Sequence, residues 1–128
     1  MIIPAAEQMG LHEDPAGVVI PLATSLNDKG SLFAGSIFSG ATLAAYRSTE
    51  RLFQSRGLAG ELVAKTATIN YLRRIQTDGL ALATPTGEPL LKPNGNYTVT
   101  QQVRVLDQEG TCAAELTAEF ILVQSKKE

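Results

Sequence analysis

From Leu32 to Ser55 the chain carries no proline, and Ile37, Ala41, Ala44 and Ala45 recur at helical spacing, with Leu52 and Phe53 continuing the stripe after a polar turn. The spacing predicts one long helix. Its first half is crowded with small residues: Ala34, Gly35, Ser36, Ser39, Gly40, Ala41, Ala44 and Ala45. Glycine inside a helix costs about 1 kcal/mol relative to alanine, so two glycines there predict that another element approaches the helix backbone closely. The polar second half, Arg47-Ser48-Thr49-Glu50-Arg51, predicts an exposed end that stops near Gly57.

A single helix with one apolar stripe needs a partner layer, and the flanking sequence supplies strands. Glu61 to Leu72, Leu80 to Ala83, Tyr97 to Leu106 and Thr111 to Val123 have strand character. The last is the most regular: Cys112, Ala114, Leu116, Ala118, Phe120 and Leu122 alternate with Thr111, Glu115, Thr117 and Glu119, so one face is apolar and the other wet. Asp107-Gln108-Glu109-Gly110 reads as a hairpin loop. Upstream, Val18-Val19-Ile20-Pro21-Leu22 is β-rich, but Pro21 confines it to an edge strand or a strand end. Ile3 to Met9 reads as a short helical lead-in stopped by Gly10, His12 to Gly17 as a turn, Ser25 to Gly30 as a polar loop, Pro85 to Gly95 as the one sizeable loop, and Ser125 to Glu128 as a polar tail. The order predicts one α+β domain over residues 1–128, an antiparallel sheet of about five strands wrapped on one helix.

Composition narrows the function classes. Hydrophobic residues make up 44% and charged residues 19%, which predicts an ordered globular chain. A net charge of -2 with no Lys/Arg cluster argues against nucleic acid as a partner. The longest apolar runs, such as Gly17 to Ala23, are far shorter than the roughly 20 residues that span a bilayer. The start, Met1-Ile2-Ile3-Pro4, lacks the form of a secretory signal, and one cysteine cannot close an internal disulfide; the expected compartment is the cytoplasm. Cys112 sits in an apolar alternating run and reads as a small buried hydrophobe.

Several chemistries fail on residue type. Gly35 to Thr42 has the glycine spacing of a phosphate-binding P-loop, but Ala41 stands where the lysine must be. His12 is the only histidine, so neither a zinc ligand set nor a Ser-His-Asp triad has its parts, and no metal or cofactor is expected. Asn96-Tyr97-Thr98 fits a glycosylation sequon only by coincidence in a chain without a signal. What remains is Asn27-Asp28-Lys29-Gly30-Ser31-Leu32-Phe33-Ala34-Gly35, a polar loop entering the close-packed helix. Free backbone N–H groups at a helix start can hold an anion or a developing oxyanion. Asn27 there either orients a water or a substrate carbonyl, or simply builds a turn.

At these residues the chain resembles the hotdog thioesterases, many of which carry Asn-x-x-Gly-x-x-His-Gly-Gly followed along the helix by a catalytic Asp or Glu. It reads Asn27-x-x-Gly30-x-x-Phe33-Ala34-Gly35. It is more similar to the thioesterase-like branch that also occurs as the C-terminal domain of fused acetyltransferase proteins. In that branch an Asn-x-x-Gly-x-x-Phe-Gly-Gly-Ser helix start is followed by a strand like Ile-x-Tyr-Leu-Arg-Pro, and here the second element is Ile69-Asn70-Tyr71-Leu72-Arg73-Arg74. The likeness runs from about Gly17 to Val123 in the same order.

The resemblance implies a hotdog homodimer, joined edge to edge and able to pair into a tetramer, that hydrolyses acyl-CoA or acyl-carrier-protein thioesters. It implies that Asn27 positions substrate or water and that the N–H groups of Ala34 and Gly35 polarise the carbonyl. Gly30 belongs to the same motif, and Phe33 and Tyr71 would shape the pocket. Nine residues on from Phe33, the catalytic carboxylate's position holds Thr42, whose hydroxyl can hold a water but is no general base at neutral pH. Asp28, next to Asn27, and Glu61, which opens the following strand, read as surface charges. Strict alternation puts Lys65 on one face with Ala67, Ile69 and Tyr71, either at a sheet margin or in the acyl site. Arg73, Arg74 and Lys92 are candidates for the phosphates of coenzyme A or an acidic carrier. The missing carboxylate also leaves open a non-catalytic acyl-thioester binding module; a dehydratase would need an acid/base pair that one stray histidine does not supply.

Overall fold

The crowding of small residues in the long helix has a direct structural counterpart. A Cβ added to Gly40 would collide with Cγ1 and Cδ1 of Ile20, a side chain with no exposed surface. A strand therefore crosses the helix at van der Waals distance, and glycine is what lets it in. In the computed structural model, which describes residues 3–124, the elements in order are α1 (Pro4–Gln8), β1 (His12–Glu13), β2 (Val18–Ile20), α2 (Leu22–Ser25), α3 (Ala34–Ser55), β3 (Gly60–Tyr71), β4 (Gly79–Pro85), β5 (Leu90–Leu91), β6 (Tyr97–Leu106) and β7 (Cys112–Gln124). The tail expected at Ser125 to Glu128 lies outside the described residues.

The strands form one antiparallel sheet in the order β1-β2-β4-β6-β7-β3, with β5 added beside the start of β6. It curls around α3 in the hotdog arrangement. The helix lies chiefly over β4 and β6 and, of the long strands, least over β3. Ile37, Ala41, Ala44 and Ala45 are buried from the helix against Val103, Val105, Leu116, Ala118 and Phe120 of the sheet, and Phe53 forms a second cluster with Val99 and Leu122. Phe120 is fully buried and takes the Tyr46 ring edge-on at 6.2 Å, a geometry worth about 0.5–1.5 kcal/mol beyond its area. No helix among the described residues is long and apolar enough to cross a membrane.

Where the structure departs from the sequence expectations, short-range pairing is the reason. The sheet has seven strands rather than about five, because two-residue segments pair too briefly to show a period. His12-Glu13, expected in a turn, is the edge strand outside Val18–Ile20, and Pro21 stands just past that strand's end, capping the single turn Leu22–Ser25. The expected loop Pro85 to Gly95 is partly a hairpin: β4 runs to Pro85, Thr86 N–H donates to the Thr100 carbonyl at 2.9 Å, and Leu90 and Leu91 pair with Thr98 and Tyr97. Its tip is clamped to the end of α3, where the Arg56 guanidinium donates to both Glu88 oxygens at 2.6 and 2.7 Å. Those hydrogen bonds hold the Glu88 carboxyl below its ordinary range.

The polar half of α3 is less exposed than its composition predicts. Arg47 is nearly buried, donating to Glu13 at 3.1 Å and Glu50 at 3.0 Å. Thr49 is fully buried, donating to the Ala45 carbonyl at 2.8 Å and accepting from Gln101 Nε2 at 3.0 Å. A composition count cannot see that these groups carry their partners inward with them. Cys112, expected buried, is only partly buried at the first residue of β7.

The close approach at Gly40 makes a prediction. Gly40→Ala raises helix propensity by about 1 kcal/mol, yet it should lower stability by about 1–3 kcal/mol because Ile20 has no room to yield. A urea-unfolding midpoint that stays level or rises would contradict the packing argument.

Candidate active site at the start of the long helix

The chain enters α3 through a loop that its own side chains close. Leu26 and Leu32 form an isolated bridge, and the Asn27 N–H donates to the Ser31 carbonyl at 2.8 Å. The Asn27 carboxamide completes the ring: Oδ1 accepts from the N–H groups of Lys29 at 2.8 Å and Ser31 at 3.0 Å, and Nδ2 donates to Ser31 Oγ at 3.0 Å. Gly30 takes φ +75 at the turn and has open space beside it, so its place in the motif is conformational. Asn27 and Gly30 thus build the loop that leads into the helix.

Two further bonds aim the helix start. The Phe33 N–H donates to the Ser25 carbonyl at 2.7 Å, and the Leu32 N–H to the Ile75 carbonyl at 2.8 Å, which ties the helix entry to the chain leaving β3. Tyr71, the last residue of β3, donates its hydroxyl to the Ala34 carbonyl at 3.0 Å. Phe33 lies over Gly35, whose Cβ, if present, would come within 2.5 Å of the Phe33 ring. No side chain caps the helix, and the N–H groups of Ala34 and Gly35 have no acceptor among the described residues. They are the orphan donors that any helix start leaves, carrying the positive end of a 22-residue dipole. Around them Phe33, Tyr71 and Leu72 are about half exposed, an apolar rim at an otherwise polar entry. Arg73 and Arg74 follow directly, exposed and without an ion-pair partner among the described residues.

The structure therefore gathers Phe33, Ala34, Gly35, Tyr71, Arg73 and Arg74, and leaves other expected residues elsewhere. Lys92 sits beside Leu91, which pairs through Tyr97 with Leu122, whereas Tyr71 pairs with Ala114. Eight residues of strand, about 26 Å, separate the two ends. Lys65 does not share the face of Ala67, Ile69 and Tyr71: a bulge between Ala64 and Thr66 breaks the alternation, and the ammonium lies 3.8 Å from Glu119 on the outer face. Asp28 is exposed against Lys29, and Glu61 lies at the opposite end of β3 from Tyr71.

Thr42 is two turns down the helix from Ala34, about 12 Å along the axis. It lines a pocket of about 280 Å³ between α1 and α3, walled by Met9, Leu11, Phe38, Leu43 and Tyr46. Its hydroxyl is buried and has no hydrogen-bond partner among the described residues. The contribution of α1 to this pocket had no counterpart in the motif reading, although the spacing of Ile3, Ala6 and Met9 on one helical face was there to find.

The family described as "Putative thioesterase (yiiD_Cterm)" matches residues 2–124. The chain belongs to this family. Among curated proteins none matches the chain. Of solved structures, the "putative thioesterase" from Shewanella oneidensis is 25% identical and superposes with a TM-score of 0.81 over 94% of this chain and 89% of that one. The thioesterase HI1161 from Haemophilus influenzae (16% identity, TM-score 0.74, 97% and 85% covered) shares the fold. So does the protein BH2602 from Bacillus halodurans, solved with CoA (16%, 0.76, 96% and 78%). The family match spans every element from α1 to β7, so the site at the start of α3 lies wholly inside it.

The Asn27 bonds separate a structural role from a catalytic one. Asn27→Ala leaves the buried Ser31 N–H unpaired, which should lower stability by about 1–3 kcal/mol. Asn27→Asp keeps both backbone acceptor bonds and should recover most of that loss. Equal urea midpoints for native and Asn27→Ala protein would mean that the carboxamide is not what holds the loop.

Proposed function

We propose that the protein hydrolyses acyl thioesters of coenzyme A or of an acyl carrier protein, in the cytoplasm, as a homodimer joined along β3. The observation that carries this reading is the pair of unpartnered N–H groups of Ala34 and Gly35, set in an apolar rim with two exposed arginines beside it. The thioester carbonyl oxygen accepts from those N–H groups. Attack by water puts negative charge on that oxygen, where fixed donors and the helix dipole lower the barrier. The tetrahedral intermediate then collapses and expels the thiolate, while the proton of the attacking water passes to solvent. No carboxylate stands at Thr42, and lack of a general base costs typically about 10²–10⁴ in rate, so slow turnover is expected. Arg73 and Arg74 suit the phosphates of the coenzyme or an acidic carrier surface, and the CoA in the Bacillus halodurans structure is a ligand of this kind on this fold.

Dimerisation along β3 is favoured by what that strand leaves open. It is a 12-residue edge whose second side has no partner strand among the described residues, and a long unpaired edge invites pairing with another chain. Its inward-facing Ala64 and Ala67 are exposed at this margin, where α3 lies over β4 and β6 far more than over β3. Antiparallel pairing of two copies about the strand centre would bring the Tyr71 end of one beside the Gly60 end of the other and close that flank. On the outer face, Val63, Ile121 and Leu90 lie in one cross-strand row through Thr98, which suits further pairing into a tetramer. Thr42 in place of a carboxylate favours a second reading, a binding module that holds the thioester without cleaving it.

Thiol release from short-, medium- and long-chain acyl-CoAs, in a Cys112→Ala background to remove protein thiol, decides between them. Turnover is expected, with a joint Arg73→Ala and Arg74→Ala change raising KM at low salt far more than at high salt and leaving kcat nearly level. Sedimentation should give twice the 13.6 kDa chain mass. Saturable acyl-CoA binding without turnover would establish the binding module, and neither binding nor turnover would sink both readings.

A further inference from the structure

At the start of a helix the first N–H groups lack ladder partners, but the carbonyls do not. The Ala34 carbonyl, at the first residue of α3, has the N–H four residues on as its donor, yet it also accepts from the Tyr71 hydroxyl at 3.0 Å. Neither group needs that second bond, since a phenol on a half-exposed side chain can bond to water instead. The sheet holds it in place all the same. Tyr71 pairs with Ala114, and the next two N–H groups, of Leu72 and Arg73, both donate to the Ala113 carbonyl, at 2.8 and 3.2 Å. The phenol therefore reaches the helix from a fixed backbone, 37 residues away in sequence.

The bond falls on one particular amide. The Ala34 carbonyl and the Gly35 N–H belong to a single planar peptide unit, in which electron density drawn toward the oxygen leaves the N–H more positive. That N–H is one of the two donors with no acceptor among the described residues. The other, the Ala34 N–H, shares its amide with the Phe33 carbonyl, which accepts from Ser36 and Ile37 N–H at 3.0 and 3.1 Å. Both open donors thus sit on amides whose carbonyl takes two hydrogen bonds, and for Gly35 one of the two is supplied by β3. We infer that Tyr71 is a positioning residue for the thioester reaction: through the shared peptide, its hydroxyl orients the Gly35 N–H and strengthens it as a donor to the thioester oxygen. The inference rests on the thioester reading above, and it gives Tyr71 a part played through the backbone instead of by contact with substrate. Chained hydrogen bonds strengthen one another by roughly 10–30%, and one oxyanion donor is worth about 10²–10³ in kcat. The Tyr71 hydroxyl should therefore contribute about two- to eightfold.

The test follows thiol release from acetyl-, octanoyl- and palmitoyl-CoA in the Cys112→Ala background, together with the backbone amide nitrogen shifts of the ligand-free protein. Three chains are compared: one with Tyr71 intact, one with Tyr71→Phe, and one with 3-fluorotyrosine in place of Tyr71, at a mildly acidic pH where the fluorinated phenol keeps its proton and donates more strongly. Tyr71→Phe keeps the ring; it should move the Gly35 nitrogen upfield and lower kcat about two- to eightfold with KM nearly level. The fluorinated chain should move both the other way, above the chain with Tyr71 intact. A bond that only ties strand to helix would lower stability in Tyr71→Phe but give no gain on fluorination. A Gly35 nitrogen unmoved in both altered chains overturns the inference, and so does a kcat that stays level or falls in the fluorinated one. Binding without turnover removes the hydrolytic reading alone; acyl-CoA affinity then replaces kcat, supporting the inference if it ranks the three chains in the same order and overturning it if it does not. Neither binding nor turnover removes the thioester reading and the inference together, whatever the Gly35 nitrogen does.

Discussion

The contact between Ile20 and the bare backbone of Gly40 is the constraint from which the remaining architecture follows. It sets how near β2 can lie to α3, and β2 in turn pairs with β4 through Val18, Val19 and Ile20. With that spacing fixed, Ala41, Ala44 and Ala45 can be small and still be fully covered. Larger residues would push the sheet away, and the core would have to be refilled along its length, since interiors pack at crystal-like density with little slack. The same approach places the single turn Leu22–Ser25 over the helix entry, where the Ser25 carbonyl receives the Phe33 N–H.

The site exists because the entry to α3 is over-determined by bonds that do not involve its own first N–H groups. Asn27 closes the loop, Ser25 and Ile75 fix Phe33 and Leu32, and Tyr71 holds the Ala34 carbonyl. Each of these could have been replaced by a side-chain cap that would have satisfied Ala34 or Gly35 instead. None was, and the two donors stay open to a ligand in a rigid setting, the condition under which hydrogen bonds to a developing oxyanion are most effective. Rigidity is supplied by the sheet: Tyr71 and the segment after it belong to β3 and its bonds to Ala113, not to a mobile loop.

Much of this was legible in the sequence. The long helix, the four principal strands and the alternation of β7 follow from periodicity, and the two separated motifs point to the family. What escaped was non-local. The two-residue strands β1 and β5 are defined only by their partners. The bulge at Lys65 breaks a period of two that counting must assume, and it sends the ammonium to Glu119. Lys92 and Arg73 look equally placed along the chain, but the register of β6 on β7 sets them at opposite ends of the sheet. Asn27 is the instructive residue: the motif picked it out, and only the structure shows that its carboxamide closes the loop through Lys29 and Ser31.

The central claim is that the N–H groups of Ala34 and Gly35 receive the thioester carbonyl, and amide chemical shifts test it most directly. Isotope-labelled protein would be titrated with an acyl-CoA analogue in which a methylene replaces the thioester sulfur, keeping the carbonyl but removing the reaction. The account predicts that the Ala34 and Gly35 amides move downfield more than any others as the analogue saturates. Saturable binding that leaves both amides in place, with the largest shifts around another pocket such as the one lined by Arg47 and Arg51, would contradict it.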